Sequence, residues 1–541
     1  MALAASALIN GVWGLRPQRV QGRALAFLLR GVTMRGIFLC LLLVFAAGAA
    51  DARAKVDWLT YGFDRLRSGH NPFETALGQT NVAGLAQVWS FDPGPFEVKI
   101  DSTISPVNAQ LRGQAMVAHG VSVNGTKTDL VVVGDENGFL FALNADSTSK
   151  TGTVVWYNSL GRVTVPACSG TTHVVGVGAS AMIDRGANGG QGAVFVAANG
   201  KVHALALATG VELSGWPVAI RHLASAVTDG SVHDGINIAA GKLYVGTSSN
   251  CDVTPYWGRV VQIDVASAKV ENQWFTLTGS NYLPDVSGGG IWGLGGVSID
   301  TSARVGGVYV ATGNAVEQDG QSAYAENISN LSRDLRKIKG AASPLIPFGD
   351  NDYGATPAVF QPTGCAEKLV AAPNKIGLLT VDSVGAGGAL SVWQSLQMAS
   401  NTSGFRSGIA WDVADQVLLV TTPTDGPAPY LHGLSALQAN AGCTSLSLAW
   451  QVSPDAKITS GSDPFTPVTT ANGVAYLGVQ GLSANQIFAV ATTAGAGVVP
   501  GQVLWTSPEI GGVIIPPPAV VNGLVFAVSL TRLTAFALPG Q

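Results

Sequence analysis

The sequence predicts an all-β chain closed into an eight-bladed β-propeller of four-stranded blades. Three observations predict it. Tryptophan recurs at a near-constant interval, at Trp89, Trp156, Trp216, Trp274, Trp393, Trp450 and Trp505, and a fixed period is the signature of a repeat architecture. The stretch before each Trp alternates apolar and polar residues between Asn, Asp and Gly turns, which is a strand–turn–strand pattern. The two ends are complementary: the chain after Trp505 adds strands but no Trp strand, while Trp89 lies in a strand with no predecessors. Joining them completes one blade and leaves no long exposed edge.

In chain order, the first 54 residues stand apart from the repeat. The run GIFLCLLLVFAAGAA from Gly36 to Ala50 follows Met34 and Arg35 and precedes small residues in DARA. It is shorter than the roughly 20 residues of a spanning helix. Basic start, apolar middle and small-residue end are the order of an export signal. The expected start is Met34, so residues 1–33 would not be translated. The expected location is periplasmic or secreted, with no membrane span after signal cleavage; an N-terminal membrane anchor is the alternative. Residues 55–541 then form a single propeller domain.

The blades follow. LVVVGDENGFLFALNADSTSKTGTVVW (Leu130 to Trp156) sets the grammar, and AVFVAANGKVHALALATGVELSGW (Ala193 to Trp216) repeats it. Leu243 to Trp274, Leu369 to Trp393, Val417 to Trp450 and Val474 to Trp505 are further copies. The gap from Trp274 to Trp393 is about twice the others, and GGVYVATGN (Gly306 to Asn314) opens a copy there without its Trp. That makes eight blades; seven is the alternative, if 293–348 is an insertion. The periodic Trp rings are expected to pack between neighbouring blades.

Composition narrows function. A formal net charge of −4 with no basic stripe argues against nucleic acid. Export permits disulfides, and Cys168, Cys251, Cys365 and Cys443 allow three connectivities. No CxxC or CxxCH spacing is present, so neither a zinc ribbon nor a c-type haem is encoded.

The copies VVVGDENGFLFALNA and LYVGTSS…GRVVQIDVAS resemble the repeat of the pyrroloquinoline quinone (PQQ) dehydrogenases and their relatives, across nearly all of residues 57–540. The opening DWLTYGFDRLRSGHNP (Asp57 to Pro72) resembles the segment that leads into the first blade of that superfamily. The same blades also build non-catalytic proteins, so function has to come from the site.

The resemblance implies a site on the propeller axis. In SGGGIWGLGG, Trp292 matches the ring that forms the floor under the quinone, and the glycines before it permit close backbone approach to a flat ligand. In ATGN, Asn314 matches a calcium ligand; an amide oxygen suits a hard cation. In FGDNDYG, Asp352 matches the residue that takes the alcohol proton and contacts the metal, with Asp350 two residues earlier. In APNKIG, Lys375 matches the cation on the quinone oxygens, and Asn374 beside it is a candidate cofactor contact. Asp252 in SSNCDV stands near the family's remaining calcium ligand, one position displaced. The vicinal cysteine pair that covers the quinone is absent.

The expected function is oxidation of a small alcohol or sugar with PQQ and Ca2+, passing electrons to a separate acceptor. Asp352 would be the base and Lys375 the stabilising cation. The alternative is a non-catalytic propeller that binds a protein or polysaccharide partner.

Overall fold

Valine, leucine and alanine dominate the middle strands because both faces of a blade are covered by its neighbours. Ala193–Ala198 and Val417–Thr422 are buried along their whole length, whereas the outer strand Lys269–Phe275 alternates exposed and half-buried residues up to the buried Trp274. The computed structural model describes residues 54–541 except 95, 101–102, 167–171, 224–228, 230, 233, 278–286, 317–322, 344–348, 401–407, 454–465, 480–484, 496 and 541. Lys55–Gln541 forms one compact unit. The expected signal region (1–54), but for its last residue, and Cys168 lie outside the described residues.

The eight blades are four-stranded antiparallel sheets, and His70–Asn71 adds a short fifth, parallel strand to the inner edge of the seventh. Blade 1 comprises Met116–Val123, Thr126–Asp135, Phe139–Asn144 and Thr153–Ser159. Blade 2 comprises Met182–Asp184, Ala193–Ala198, Lys201–Ala206 and Val218–Ala219. Blade 3 comprises Asn237–Ala239, Lys242–Thr247, Arg259–Asp264 and Lys269–Phe275. Blade 4, without a Trp, comprises Ser298–Asp300, Gly307–Ala311, Ile328–Leu331 and Ile338–Ala342. Blade 5 comprises Ala358–Phe360, Lys368–Pro373, Leu378–Val384 and Leu390–Gln397, and blade 6 comprises Ile409–Asp412, Val417–Thr422, Gly433–Ala439 and Leu446–Val452. Blade 7 comprises Thr469–Ala471, Val474–Val479, Gln486–Ala491 and Val503–Thr506. Blade 8 comprises Ala519–Val521, Leu524–Val528 and Leu533–Ala537, completed by the N-terminal strand Ala86–Phe91. Residues 293–348 therefore hold a blade, and the count is eight rather than seven. Each innermost strand precedes the segment in which the sequence grammar is clearest.

Tryptophans join neighbouring blades as their period implies. Trp89 Nε1 donates to the Ala145 carbonyl at 3.1 Å, Trp156 Nε1 to Leu207 at 3.0 Å and Trp505 Nε1 to Leu85 at 3.0 Å. The Trp156 ring lies on Gly210 of the next blade, where a Cβ would come within 2.4 Å of it. In blade 4 the position after the bulge holds Gly340 instead. Gly340 packs against the backbone of Ala389 and Leu390 in blade 5, and Asn330 donates to the Gly388 carbonyl at 2.8 Å. A close strand contact and an amide thus replace the indole.

The segment expected to lead into the first blade instead circles the inner strands. Trp58 exchanges backbone hydrogen bonds with Val117 of blade 1, and Ile183 of blade 2 donates to Leu59. Arg65 Nε donates to Ile238 of blade 3, and the Arg65 carbonyl accepts from Ile299 of blade 4. Leu66 accepts from Val359 of blade 5, Ser68 from Trp411 of blade 6 and Gly69 from Thr470 of blade 7. Asn71 Nδ2 donates to Val520 of blade 8. Consecutive residues of one strap therefore meet the blades in order.

The bridge Cys365–Cys443 ties blade 5 to blade 6, with Cα atoms 5.5 Å apart. Of the three connectivities, it is compatible only with the one that pairs Cys168 with Cys251. Among the described residues no helix is long and apolar enough to cross a membrane.

Candidate functional site

Antiparallel blades place the turns between second and third strands on the same face as the connectors between blades. The candidate residues all come from such loops: Asp252, Asn314 and Lys375 from turns in blades 3, 4 and 5, Trp292 and Asp352 from the connectors between those blades. Backbone hydrogen bonds sew the loops together. Gly288 donates to Tyr256 at 3.1 Å, Gly289 to Asn314 at 2.7 Å, Gly313 to Gly290 at 2.7 Å and Lys375 to Asp352 at 2.9 Å.

Asp352 is the centre of the group. Its residue is only 3% exposed. Oδ1 accepts the Asn314 backbone N–H at 2.7 Å, and Oδ2 lies 2.5 Å from Lys375 Nζ. Burial pushes its carboxyl up to about 6, against the pull of the Lys375 charge; Asp252 adds a smaller upward push. Lys375 Nζ also donates to Asp350, and its ammonium is held above its ordinary value by Asp352 and Asp350 despite burial. Asp350 and Asp352 lie in a connector without strand structure, so strand alternation does not align them. Lys375 brings them together.

Trp292 packs beside this carboxylate. A Cβ at Gly313 would come within 2.3 Å of Asp352 Oδ1 and 2.5 Å of Trp292 Nε1, and a Cβ at Gly290 within 2.7 Å of the indole. Only glycine lets the ring and the carboxylate converge there. Tyr256 meets Trp292 edge-on, with centroids 6.3 Å apart.

Asp252 joins the group through Tyr256, whose hydroxyl donates to it. Burial raises the Asp252 carboxyl, while Tyr256 and Lys375 pull it down and Asp350 raises it. Asp252 and Cys251 both adopt positive φ, 51° and 61°, which turns the loop at this point. Glu326 is also buried beside the group, raised by desolvation, and accepts the Asn351 N–H at 2.9 Å. Sequence patterns carried no signal for Tyr256 or Glu326, because loop conformation alone brings them in.

Asn374, the candidate cofactor contact, lies in the turn that carries Lys375. It is fully buried, and its side-chain oxygen accepts from Ile376 and Leu378 N–H, both at 3.1 Å. It shapes the turn that carries Lys375.

The donor set also bears on the expected calcium site. The Asn314 amide oxygen is buried with no hydrogen-bond partner, as an open ligand position would be. The carboxylates are committed otherwise: Asp352 to the Asn314 N–H and to Lys375, Asp252 to Tyr256. Among the described residues no three His, Cys, Asp or Glu side chains are gathered as metal ligands would be. As they stand, Asp252, Asn314 and Asp352 do not fit a divalent cation. Gly288, Gly289 and Gly290 pack against this chain's own atoms, the Asn314–Val316 backbone, the Thr276 side chain and the Trp292 ring, and so hold the half-buried Trp292 ring in place.

No protein-family model and no curated protein matches the chain. Solved structures do. The quinohemoprotein alcohol dehydrogenase ADHIIG from Pseudomonas putida HK5 aligns at TM-score 0.58 and 12% identity, over 90% of this chain and 80% of that one. A europium-containing methanol dehydrogenase aligns at TM-score 0.57 and 14% identity, over 90% and 99%. At these identities the likeness is one of fold. The chain shares its propeller fold with these two dehydrogenases, in agreement with the resemblance read from its repeats.

Proposed function

We propose that the chain is a quinoprotein-type oxidoreductase that acts on a small alcohol or sugar in the periplasm or outside the cell. The observation that carries this reading is Asp352, a buried carboxyl pushed up to about 6 and set beside Trp292 by Gly290 and Gly313. A base poised near neutral pH at a water-poor position is what proton removal from an alcohol asks for.

PQQ, when bound, would supply the two-electron acceptor. Trp292 would offer the ring face on which a flat cofactor rests. Asp352 Oδ2 would take the hydroxyl proton, while the Asn314 N–H fixes Oδ1 and so the direction of the free electron pair. Lys375 would place a positive charge beside the developing oxyanion. With no CxxCH in the chain, electrons would leave to a separate acceptor.

The test is reconstitution. Purified protein with added PQQ should change the quinone absorbance and reduce a dye with some member of an alcohol and sugar panel. Absence of quinone uptake would reject the oxidoreductase reading. One observation favours the second reading, a non-catalytic scaffold for a protein or polysaccharide: Lys375 closes over Asp352 and Asp350, the group that chemistry needs open. Under that reading the loop-rich face binds its partner and Asp352→Asn leaves binding unchanged.

A further inference from the structure

We propose that Lys375 is a built-in cation that takes the place of a divalent metal ion at Asp350 and Asp352, so that this chain's site is metal-independent and becomes a metal site only when the ammonium is removed. The inference deepens the reading of Asp352 as the centre of the site, but its test needs neither cofactor nor turnover.

Three features carry it. First, the ammonium bonds carboxylates from two residues, Asp350 and Asp352, and thereby holds the position where a bridging ion would gain most from both. Second, the ammonium is delivered by a fixed turn rather than a loose side chain. The Lys375 N–H is bonded to the Asp352 carbonyl at 2.9 Å, the Gly377 N–H to the Asn374 carbonyl at 3.0 Å, and the buried Asn374 amide accepts from two N–H groups of the same turn. Third, an oxygen of the right kind is left over. Asn314 Oδ1 is buried and unpartnered, and its own backbone N–H reaches Asp352. A lysine has donors only and offers this acceptor no more than one of its three protons. Without the ammonium, Asp350, Asp352 and Asn314 would present oxygen donors of the type that hard cations take.

The experiment measures metal uptake by the full chain after dialysis against a chelator. The probes are Tb3+ luminescence, excited through the neighbouring Trp292 and Tyr256 rings, and calorimetry with Ca2+ alone. Wild type should take up neither ion at this site, and Lys375→Arg should behave the same. Lys375→Met should bind both, with affinity higher on the order of tenfold or more because the competing charge is gone. Adding Asp352→Asn to Lys375→Met should abolish the gain, which locates it. Lys375→Gln provides a second, polar variant should the methionine disturb the fold. Stoichiometric Ca2+ uptake by wild type that Asp352→Asn removes and Lys375→Met does not strengthen would overturn the proposal. That outcome would leave the oxidoreductase reading intact, because quinone uptake is measured separately.

Discussion

Asp352 is a residue whose environment sets both chemistry and stability. Its folded value of about 6 lies above the ordinary carboxylate value because burial disfavours the charge. The folded state therefore prefers the protonated form. That contribution to stability is complete below about pH 4 and is lost as pH rises through about 6. Asp352→Asn removes this titration, so we expect its melting temperature relative to wild type to be higher at pH 7 than at pH 4, read from thermal unfolding at both values. The same variant should abolish dye reduction while retaining quinone uptake, and the wild-type rate should fall about tenfold per unit below pH 6. Unchanged turnover in Asp352→Asn would remove it from the role of base. Trp292, Asn314, Asp352 and Lys375 were legible in the sequence because each sits in a short motif in the right blade order. The state of the site was not. Whether Lys375 meets a quinone or a carboxylate depends on loop paths, and so does the entry of Tyr256 and Glu326. Adjacency to Lys375 in sequence likewise says nothing of the turn that Asn374 shapes with its side-chain oxygen.

At the scale of the element, a blade is specified by a glycine on one sheet as much as by a tryptophan on the next. Gly210 has φ of +68°, and Trp156 lies where its Cβ would go. Gly387 has the same φ of +68° with nothing within 4 Å. The two positions separate backbone strain from lost packing. Gly210→Ala should cost roughly 2–4 kcal/mol and Gly387→Ala only about 1–2 kcal/mol in denaturant unfolding. Equal costs would show that the ring adapts and that the stack contributes little. The repeat was legible because the indole and its glycine turn are both written locally. Blade 4 was legible as a blade but not as a joint. Its Gly340 lets the outer strand approach Ala389 and Leu390 directly, and Asn330 reaches the Gly388 carbonyl. Nothing in the spacing of residues 306–342 announces that exchange. It occurs between the two connectors that deliver Trp292 and Asp352, so the ring departs from its rule where the candidate site is assembled.

The whole molecule is a ring, and its stability rests on closing it. Three devices do so. The strand Ala86–Phe91 completes blade 8, the Cys365–Cys443 bridge ties blades 5 and 6, and the strap runs inside all eight inner strands. The closing strand was legible from the unequal chain ends; the strap was not, since hydrogen bonds spread from Val117 to Val520 leave no periodic trace in a segment of some sixteen residues. Reduction of the bridge should lower stability by about 2–4 kcal/mol, read from unfolding with and without reductant. The strap should matter more. It carries Trp58, fully buried against blade 1, and Arg67, a residue 2% exposed whose guanidinium donates to the Thr60 hydroxyl and to the carbonyls of Tyr61, Ile236 and Val297. Each backbone hydrogen bond lost from a buried strand contributes about 1 kcal/mol, and an orphaned buried partner costs more. Because every blade loses a partner at once, the loss is shared around the ring and cannot be absorbed by opening one joint. A chain beginning at residue 73 should therefore unfold at far lower denaturant concentration, and a synthetic peptide of residues 55–72 added in excess should restore most of the difference by binding only the closed ring. If the truncated chain unfolds as the full chain does, the strap is a passenger and the blades close the ring unaided. If the peptide restores stability, the inner surface of the propeller is a preformed groove that the chain fills with its own first segment.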